Sequence, residues 1–172
     1  FFLVVFVAFA IALHHHFQPS PRYSYFICHH KAGAQAQARL LKLMLSAKTG
    51  HSVFIDSDDL TELDMLFDIV KVSVERVVVY LTRETMSRPW CAGEIATAVA
   101  WRKKLMAVVT PSFVPPTEEQ LANPDSFMDL WSFSLTPYGI TNEAVASAFR
   151  HLLEDDGVAR IELQRDLPGS VR

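Results

Sequence analysis

Runs of apolar residues separated by polar turns recur along the chain, and they follow two kinds of pattern. Short runs rich in β-branched and aromatic residues are typical of strands, whereas apolar residues three and four apart are typical of helices. The first pattern predicts strands over residues 23–28, 52–55, 76–82, 105–109 and 132–135. The second predicts helices over residues 34–48, 62–72, 88–104, 125–131 and 141–154. Residues 111–123 are predicted to form a loop, and residues 157–172 a polar tail.

This alternation predicts an α/β fold, because strands that alternate with helices form a parallel sheet covered on both faces. We expect a flavodoxin-like sheet of five parallel strands in the order 2-1-3-4-5. Its central strand is predicted to be RVVVYLT at residues 76–82, which is almost entirely apolar and therefore suited to burial on both faces. In this order a ligand crevice lies beyond the carboxyl ends of strands one and three. Those ends are residues 28–31 and 82–83.

The stretch RPWCAGEIATA at residues 88–98 is predicted to begin a helix close to that crevice. Pro89 suits the first turn of a helix, where a missing N–H costs nothing. Trp90 and Glu94 are four residues apart and therefore share one helical face. In a structural interpretation Trp90 packs in the core and Glu94 favours the positive end of the helix. In a functional interpretation the two side chains line a ligand site.

Length, composition and charge narrow the class of protein. A chain of 172 residues, half of them apolar and a fifth charged, fits one globular domain. The net charge of −3 argues against a general nucleic-acid-binding protein. Cys28 and Cys91 have no metal-ligand spacing and form no disulfide framework, so we predict no metal site and a reducing, cytoplasmic compartment.

The chain begins with an apolar run without a polar residue, Phe1 to Leu13, followed by the histidines at 14–16. The run is shorter than the roughly 20 residues that span a bilayer. Three interpretations stay open: the end of a transmembrane helix that anchors the domain to a membrane, a signal-peptide segment, and a buried helix of a longer protein. Pro19 and Pro21 indicate a linker. We therefore divide the chain into an apolar segment and linker (1–21), a domain (22–156) and a tail (157–172).

An acidic segment, DSDDLTELD, follows the second predicted strand. It does not fit a calcium-binding loop, because Thr61 takes the place of the required glycine and Phe67 that of the bidentate glutamate. An aspartyl phosphatase and a receiver-type phosphoacceptor are further interpretations, for which the sequence offers no supporting partner residues. A solvated surface is the commonest role of such a segment. It is also a plausible contact for the basic residues 102–104 of a second copy.

Three segments in order resemble the boxes of a Toll/interleukin-1 receptor (TIR) domain: YFICHHKAGAQAQARLLKLML, VFIDSDDL and VVVYLTRETMSRPWCAGEI. The resemblance covers residues 22–153. It implies a flavodoxin-like fold and homotypic TIR–TIR assembly in innate immunity and cell-death signalling. A subset of the family cleaves NAD⁺ to nicotinamide and ADP-ribose or its cyclic forms. The alternative is a TIR scaffold without catalytic activity, which acts only through protein–protein interaction.

The resemblance also implies roles for individual residues, with NAD⁺ as a substrate and no cofactor. Glu94 matches the catalytic glutamate of the W-x-x-x-E pattern, and Trp90 would form a wall of the pocket. The remaining residues for substrate binding are His29, His30, Lys31 and Arg83, with Lys31 or Arg83 facing the pyrophosphate. Independently of the resemblance, the acidic loop at residues 56–64 and the basic residues 102–104 predict self-association through that loop, with Asp56, Asp58, Asp59 and Leu60 as contact residues. The sequence departs from the family in two places. Two histidines and a lysine replace the usual aromatic or arginines after the first strand, and the loop lacks glycine and proline.

Overall fold

The computed structural model describes residues 5–7, 21–56, 65–129 and 134–164. Five strands form the sheet: β1 (Tyr23–His29), β2 (Val53–Phe54), β3 (Val74–Leu81), β4 (Lys104–Val109) and β5 (Ala159–Glu162). The α-helices that pack around this sheet are α1 (Lys31–Thr49), α2 (Leu66–Asp68), α3 (Pro89–Ala100), α4 (Glu118–Ala122) and α5 (Asn142–Glu154). Helix α2 continues as a π-helix over Ile69–Ser73, and short 3₁₀ turns cover Pro124–Ser126 and Thr136–Tyr138.

The five strands are all parallel and lie in the order β2-β1-β3-β4-β5, which confirms the predicted flavodoxin-like topology. Strand β1 pairs with β3 from Tyr23 opposite Val74 to His29 opposite Tyr80. In this order β1 lies between β2 and β3, and the direction in which successive strands are added to the sheet reverses between β1 and β3. Ligands of such folds bind beyond the carboxyl ends of these two strands.

Two hydrophobic layers cover the two faces of the sheet. Because side chains alternate along a strand, Val77 and Val79 of β3 belong to one layer and Val78 and Tyr80 to the other. Helix α1 covers the second layer with Ala34 and Ala38, and Leu41 and Leu45 pack against it at the predicted helical spacing. Helices α3 and α5 cover the first layer, with members that include Ile95, Phe149 and Leu152. The apolar run of β3 is thus buried on both faces, as predicted.

The caps explain where several helices begin and end. Gly50 follows α1 with a φ of 68°, a left-handed conformation that suits glycine and terminates a helix. Thr141 precedes α5, and its Oγ1 accepts a hydrogen bond from the Ala144 N–H at 3.3 Å. Helix α1 begins at Lys31 rather than at Ala34, so part of the turn predicted after β1 is helical.

Helix α3 is shorter than predicted. It ends at Ala100, Arg102 has a φ of 52°, and Lys104 already begins β4, where it pairs with Arg76 of β3. Basic residues 102–104 therefore form a turn and the start of a strand, and the prediction that they form the last turn of a helix is wrong. Sheet pairing overrides the helical propensity of the lysines, because the central register requires a strand from Lys104 onward.

The fifth strand is also not where the pattern predicted it. In the structure β5 is Ala159–Glu162, which pairs with β4, and Leu135 lies in a bend before a 3₁₀ turn. The sheet therefore extends past the predicted domain boundary at residue 156. All four residues of β5 are exposed. Apolar and polar residues alternate over only these four positions, without the long apolar run that identified β3. Helix α4 lies inside the predicted loop, with a capping box formed by Thr117 and Gln120.

Of the N-terminal apolar run, only Val5–Val7 belong to the described residues, and they are helical and exposed. Among the described residues no helix has the length and apolar character required to cross a bilayer. The prediction of membrane anchoring concerns residues 1–13, most of which lie outside the described part.

Candidate functional site

Three segments that follow β1, β2 and β3 enclose a cavity of about 260 Å³ at the carboxyl edge of the sheet. The first contributes residues 29–32, the second contributes Asp56, and the third contributes the start of α3 with Arg88, Trp90, Cys91 and Glu94. The cavity therefore lies at the reversal point of the topology, where the sequence predicted a ligand crevice. Its volume is slightly below the roughly 300–1,000 Å³ of typical ligand sites.

The turn between β3 and α3 positions the start of this helix. Thr85 is fully buried, its Oγ1 donates to the Tyr80 carbonyl at 2.9 Å, and the same oxygen accepts from the Thr82 N–H at 2.9 Å. Arg88 then adopts an extended conformation as N-cap, and Pro89 occupies the first turn, as predicted. These constraints fix the direction in which α3 leaves the sheet.

Aromatic packing holds the first turn of α3 in place. The Trp90 ring stacks on Phe67 with 5.5 Å between ring centroids, and Tyr138 meets Phe67 edge-on at 5.0 Å. Gly93 faces the same cluster, and a Cβ at this position would lie 2.5 Å from the Phe67 ring. The absence of a side chain at Gly93 therefore lets α3 approach Phe67 closely, and the half-buried Trp90 forms one wall of the cavity.

Glu94 is buried, with only 3% of its surface exposed, and its Oε2 has no hydrogen-bond partner among the described residues. Burial raises the pKa of this carboxyl well above its usual range, and the nearby Cys91 and Asp56 raise it further. A hydrogen bond from Cys28 and the charge of Lys31 act in the opposite direction. Glu94 therefore lies at the cavity in the interior of the domain and not on a solvated face of α3.

Unpartnered polar atoms distinguish this cavity from the rest of the described structure. Four buried side-chain atoms lack a hydrogen-bond partner within the described ranges: His29 Nε2, His30 Nδ1, Asp56 Oδ1 and Glu94 Oε2. All four belong to residues that line the cavity. An unsatisfied buried polar group costs about 1–3 kcal/mol, so their concentration at one place indicates a site that a polar ligand completes.

The opposite wall of the cavity carries an ion pair and two histidines. Lys31 Nζ lies 3.0 Å from Asp56 Oδ2, and His29 Nδ1 lies 3.9 Å from Asp56 Oδ1. His29 Nδ1 also donates to the Ile27 carbonyl at 3.3 Å. Burial lowers the pKa of His29 and of His30, which favours the neutral imidazole at both positions. The positive charge at the cavity therefore comes from Lys31, which is paired with Asp56, and from Arg88 at the start of α3.

The structure brings together most of the predicted site residues. Glu94, Trp90, His29, His30 and Lys31 all line the cavity. The exception is Arg83, which is exposed and lines a separate hollow with Ser87, Pro115 and neighbouring residues.

Arg88 lines the cavity, and the sequence-based prediction did not include it. Its position directly before Pro89, at the start of a predicted helix close to the crevice, was the available signal. Its Nη1 lies 3.4 Å from Asp129 Oδ2.

Asp56 was predicted to belong to a self-association loop, but it is 8% exposed and lines the cavity, paired with Lys31. An aspartate directly after a strand at the reversal point is the sequence signal for this role. The other residues predicted for that loop, Asp58, Asp59 and Leu60, lie outside the described residues.

Two free thiols lie behind the carboxylate, although Cys28 and Cys91 are 63 residues apart in the chain. Their sulfur atoms and a carboxylate oxygen of Glu94 lie within 4.8 Å of one another. Burial raises the pKa of the Cys28 thiol well above its usual range. The prediction of no metal site was based on the spacing of the two cysteines along the chain. That spacing does not indicate how close their side chains lie in the folded domain.

The comparisons with known proteins support the fold. No protein-family model and no curated protein matches this sequence. A solved structure of the TIR domains of the activated Roq1 resistosome, which directly recognises the pathogen effector XopQ, matches with a TM-score of 0.58 and 12% identity. The match covers 86% of this chain and 91% of that chain. The chain therefore has the fold of a TIR domain.

Proposed function

We propose that this chain is a TIR signalling domain that self-associates and cleaves NAD⁺ in the cavity around Glu94. The observation that carries the proposal is the buried carboxylate of Glu94, whose Oε2 has no hydrogen-bond partner among the described residues. It lies beside a stacked tryptophan, at the ligand-binding edge of the sheet. The structural likeness to the TIR domains of an assembled resistosome supports the signalling role.

The proposed chemistry breaks the bond between C1′ of the ribose and the nicotinamide nitrogen. The electron pair of that bond leaves with nicotinamide, which becomes neutral, and positive charge develops on the ribose. The Glu94 carboxylate stabilises this oxocarbenium-like charge, as carboxylates do in glycosidases. Water then adds to C1′ and loses a proton, which yields ADP-ribose. Before the reaction, the positive charge of the bound nicotinamide ring favours the ionised form of Glu94 and so offsets the effect of burial.

The cavity suits the nicotinamide riboside end of the dinucleotide. A volume of about 260 Å³ accommodates a ring and a sugar, while the adenosine half extends towards the opening. Trp90 offers an aromatic surface, and His29 Nε2 and His30 Nδ1 offer polar atoms that need partners. Lys31 and Arg88 supply the positive charge that a pyrophosphate requires.

Self-association is proposed through opposite edges of the sheet. The acidic segment at residues 57–64 lies outside the described residues; in the chain it follows Asp56, which lies at the carboxyl edge. At the amino edge Arg76, Lys103 and Lys104 line a hollow of about 450 Å³. Contact between an acidic and a basic surface on different edges produces a head-to-tail assembly of copies, which need not close into a dimer.

The experiment that tests catalysis measures nicotinamide release from NAD⁺ by the wild-type chain and by Glu94→Gln at high protein concentration. Glutamine keeps the shape but removes the charge, so we expect a loss of about 10²-fold or more. Glu143→Gln is the matched control, because Glu143 is an exposed residue of the first turn of α5. Equal rates in wild type and Glu94→Gln would reject this glutamate as the catalytic residue. A wild-type chain without turnover would favour the scaffold without activity.

A further inference from the structure

Cys28, Cys91 and Glu94 form a compact cluster of metal-ligating groups beneath the cavity. Cys28 lies near the end of β1, and Cys91 and Glu94 are three residues apart on one face of α3. All three side chains are buried, and both thiols are free. One ligand atom from each residue lies within 4.8 Å of the other two. In the described part of the chain this is the one such cluster of three groups.

The distances agree with tetrahedral coordination after small side-chain movements. Zinc binds sulfur at about 2.3 Å and carboxylate oxygen at about 2.0–2.2 Å, so two sulfurs in an ideal tetrahedron are about 3.8 Å apart. The ligand atoms therefore need to move inward by at most about 1 Å from the 4.8 Å limit. Two thiolates and one carboxylate favour a soft or borderline cation over magnesium or calcium, which prefer oxygen ligands.

The hydrogen bonds of the cluster leave it incomplete. Cys28 Sγ donates to the Cys91 carbonyl at 3.9 Å, which is a long contact, and Cys91 Sγ donates to the His29 carbonyl at 3.4 Å. Glu94 Oε2, which is buried, has no partner among the described residues. Cys91 and Glu94 line the cavity, whereas Cys28 lies behind them. A bound cation would therefore have three protein ligands and a fourth position that faces the cavity.

We propose that Cys28, Cys91 and Glu94 form a binding site for a thiophilic divalent cation of the zinc type. Zinc sites with three protein ligands keep the fourth position for water or another small ligand, and the cavity provides both that position and a route of entry. The cation would occupy the carboxylate that NAD⁺ cleavage requires. This consequence rests on the proposed function, whereas metal binding itself does not.

Cobalt(II) is the probe, because thiolate coordination gives a charge-transfer band in the near ultraviolet. The full chain is kept reduced with a phosphine and titrated with Co²⁺. We expect a band that saturates at one Co²⁺ per chain and disappears when Zn²⁺ is added, because zinc binds thiolate sites more tightly. Replacement of the histidines at 14–16 by alanine is the control for metal held by imidazoles, and it should leave the band unchanged.

The variants Cys28→Ser and Cys91→Ala should each weaken Co²⁺ binding at least tenfold, with folding verified by circular dichroism. Glu94→Gln keeps both thiols and should also weaken binding, so it tests the site even if a cysteine variant does not fold. A wild-type chain without a saturable band would overturn the proposal. A band that persists unchanged in the folded variants would overturn it as well.

The consequence for activity is measured separately. Zn²⁺ should lower the rate of nicotinamide release by the wild-type chain at least tenfold, and a chelator should restore that rate. The same concentration of Zn²⁺ should lower the rate of Cys28→Ser by a smaller factor. A cobalt band in a chain that does not cleave NAD⁺ would support the metal site and reject the proposed catalysis. Turnover of NAD⁺ without a cobalt band would support the proposed catalysis and reject the metal site.

Discussion

Replacement of Gly93 by alanine tests the packing that holds the site helix against the core. A Cβ at this position would lie 2.5 Å and 2.6 Å from two atoms of the Phe67 ring and 2.7 Å from a methyl carbon of Leu135. Ordinary carbon contacts are about 3.5–4.0 Å, so these groups must move by about 1 Å. Phe67 is fully buried and cannot move outward freely.

Two effects of opposite sign determine the size of this change. Alanine in a helix interior is favoured over glycine by about 0.8–1.0 kcal/mol. Overpacking of a close-packed core costs about 1–3 kcal/mol. We therefore expect Gly93→Ala to lower the free energy of unfolding by up to about 2 kcal/mol. Urea denaturation followed by circular dichroism measures the change.

Gly33→Ala is the matched control in α1. Its Cβ would lie 3.2 Å from His30 Nδ1, so this ring has to shift by only a few tenths of an ångström, and 3.5 Å from a Glu84 carboxylate oxygen. We expect this variant to gain about 0.5–1 kcal/mol from helix propensity. Phe67→Leu should cost less in the Gly93→Ala background than in the wild type, because the smaller side chain relieves the clash. A stabilised Gly93→Ala, or additive effects in the double variant, would refute the packing argument.

Three further predictions concern the cavity and the assembly. Arg88→Ala should raise KM for NAD⁺ about tenfold or more, as expected for a lost charged hydrogen bond, whereas Arg83→Ala should leave KM unchanged in the same steady-state assay. Trp90→Ala should destabilise the chain by less than the roughly 3–5 kcal/mol typical of a core tryptophan. It should also weaken NAD⁺ binding measured by calorimetry, and a variant with wild-type affinity would exclude Trp90 as a contact of the bound NAD⁺. Replacement of Asp58 and Asp59 by lysine should reduce self-association in sedimentation at low salt, and the wild-type assembly should weaken as salt rises. Sedimentation that is unaffected by either change would reject the acidic segment as a contact.

The parts of the fold with many apolar residues were predictable from the sequence. The run at residues 76–82 identified β3, because a strand that is buried on both faces is almost entirely apolar. The alternation of strands and helices predicted the parallel sheet, for which the flavodoxin-like order was expected. Strand β5 carries no such signal. Its four residues are exposed, and only its backbone pairing with β4 places it in the sheet. Pairing across distant parts of the chain leaves no local pattern.

The candidate site was predictable to the extent that topology brings chain segments together. The spacing of Trp90 and Glu94, and their place after the third strand, supported the functional interpretation, in which they line a site near residues 28–31. The structure places both at one cavity with residues 29–31. The burial of Glu94 was not predictable, because α3 is buried over most of its surface rather than along one stripe. The meeting of Cys28 with Cys91 depends on how α3 crosses the end of β1, which no spacing along the chain reports.

The most direct test of the central claim is the initial rate of nicotinamide release from NAD⁺ by the wild-type chain, measured over a range of protein concentrations beside Glu94→Gln. If Glu94 is the carboxylate that stabilises the ribose and copies assemble, the wild-type rate per chain rises with concentration. The variant then stays about 10²-fold or more lower throughout. Release by the variant at the wild-type rate would contradict the assignment of Glu94, and the absence of release by the wild type at every concentration would contradict catalysis by this domain.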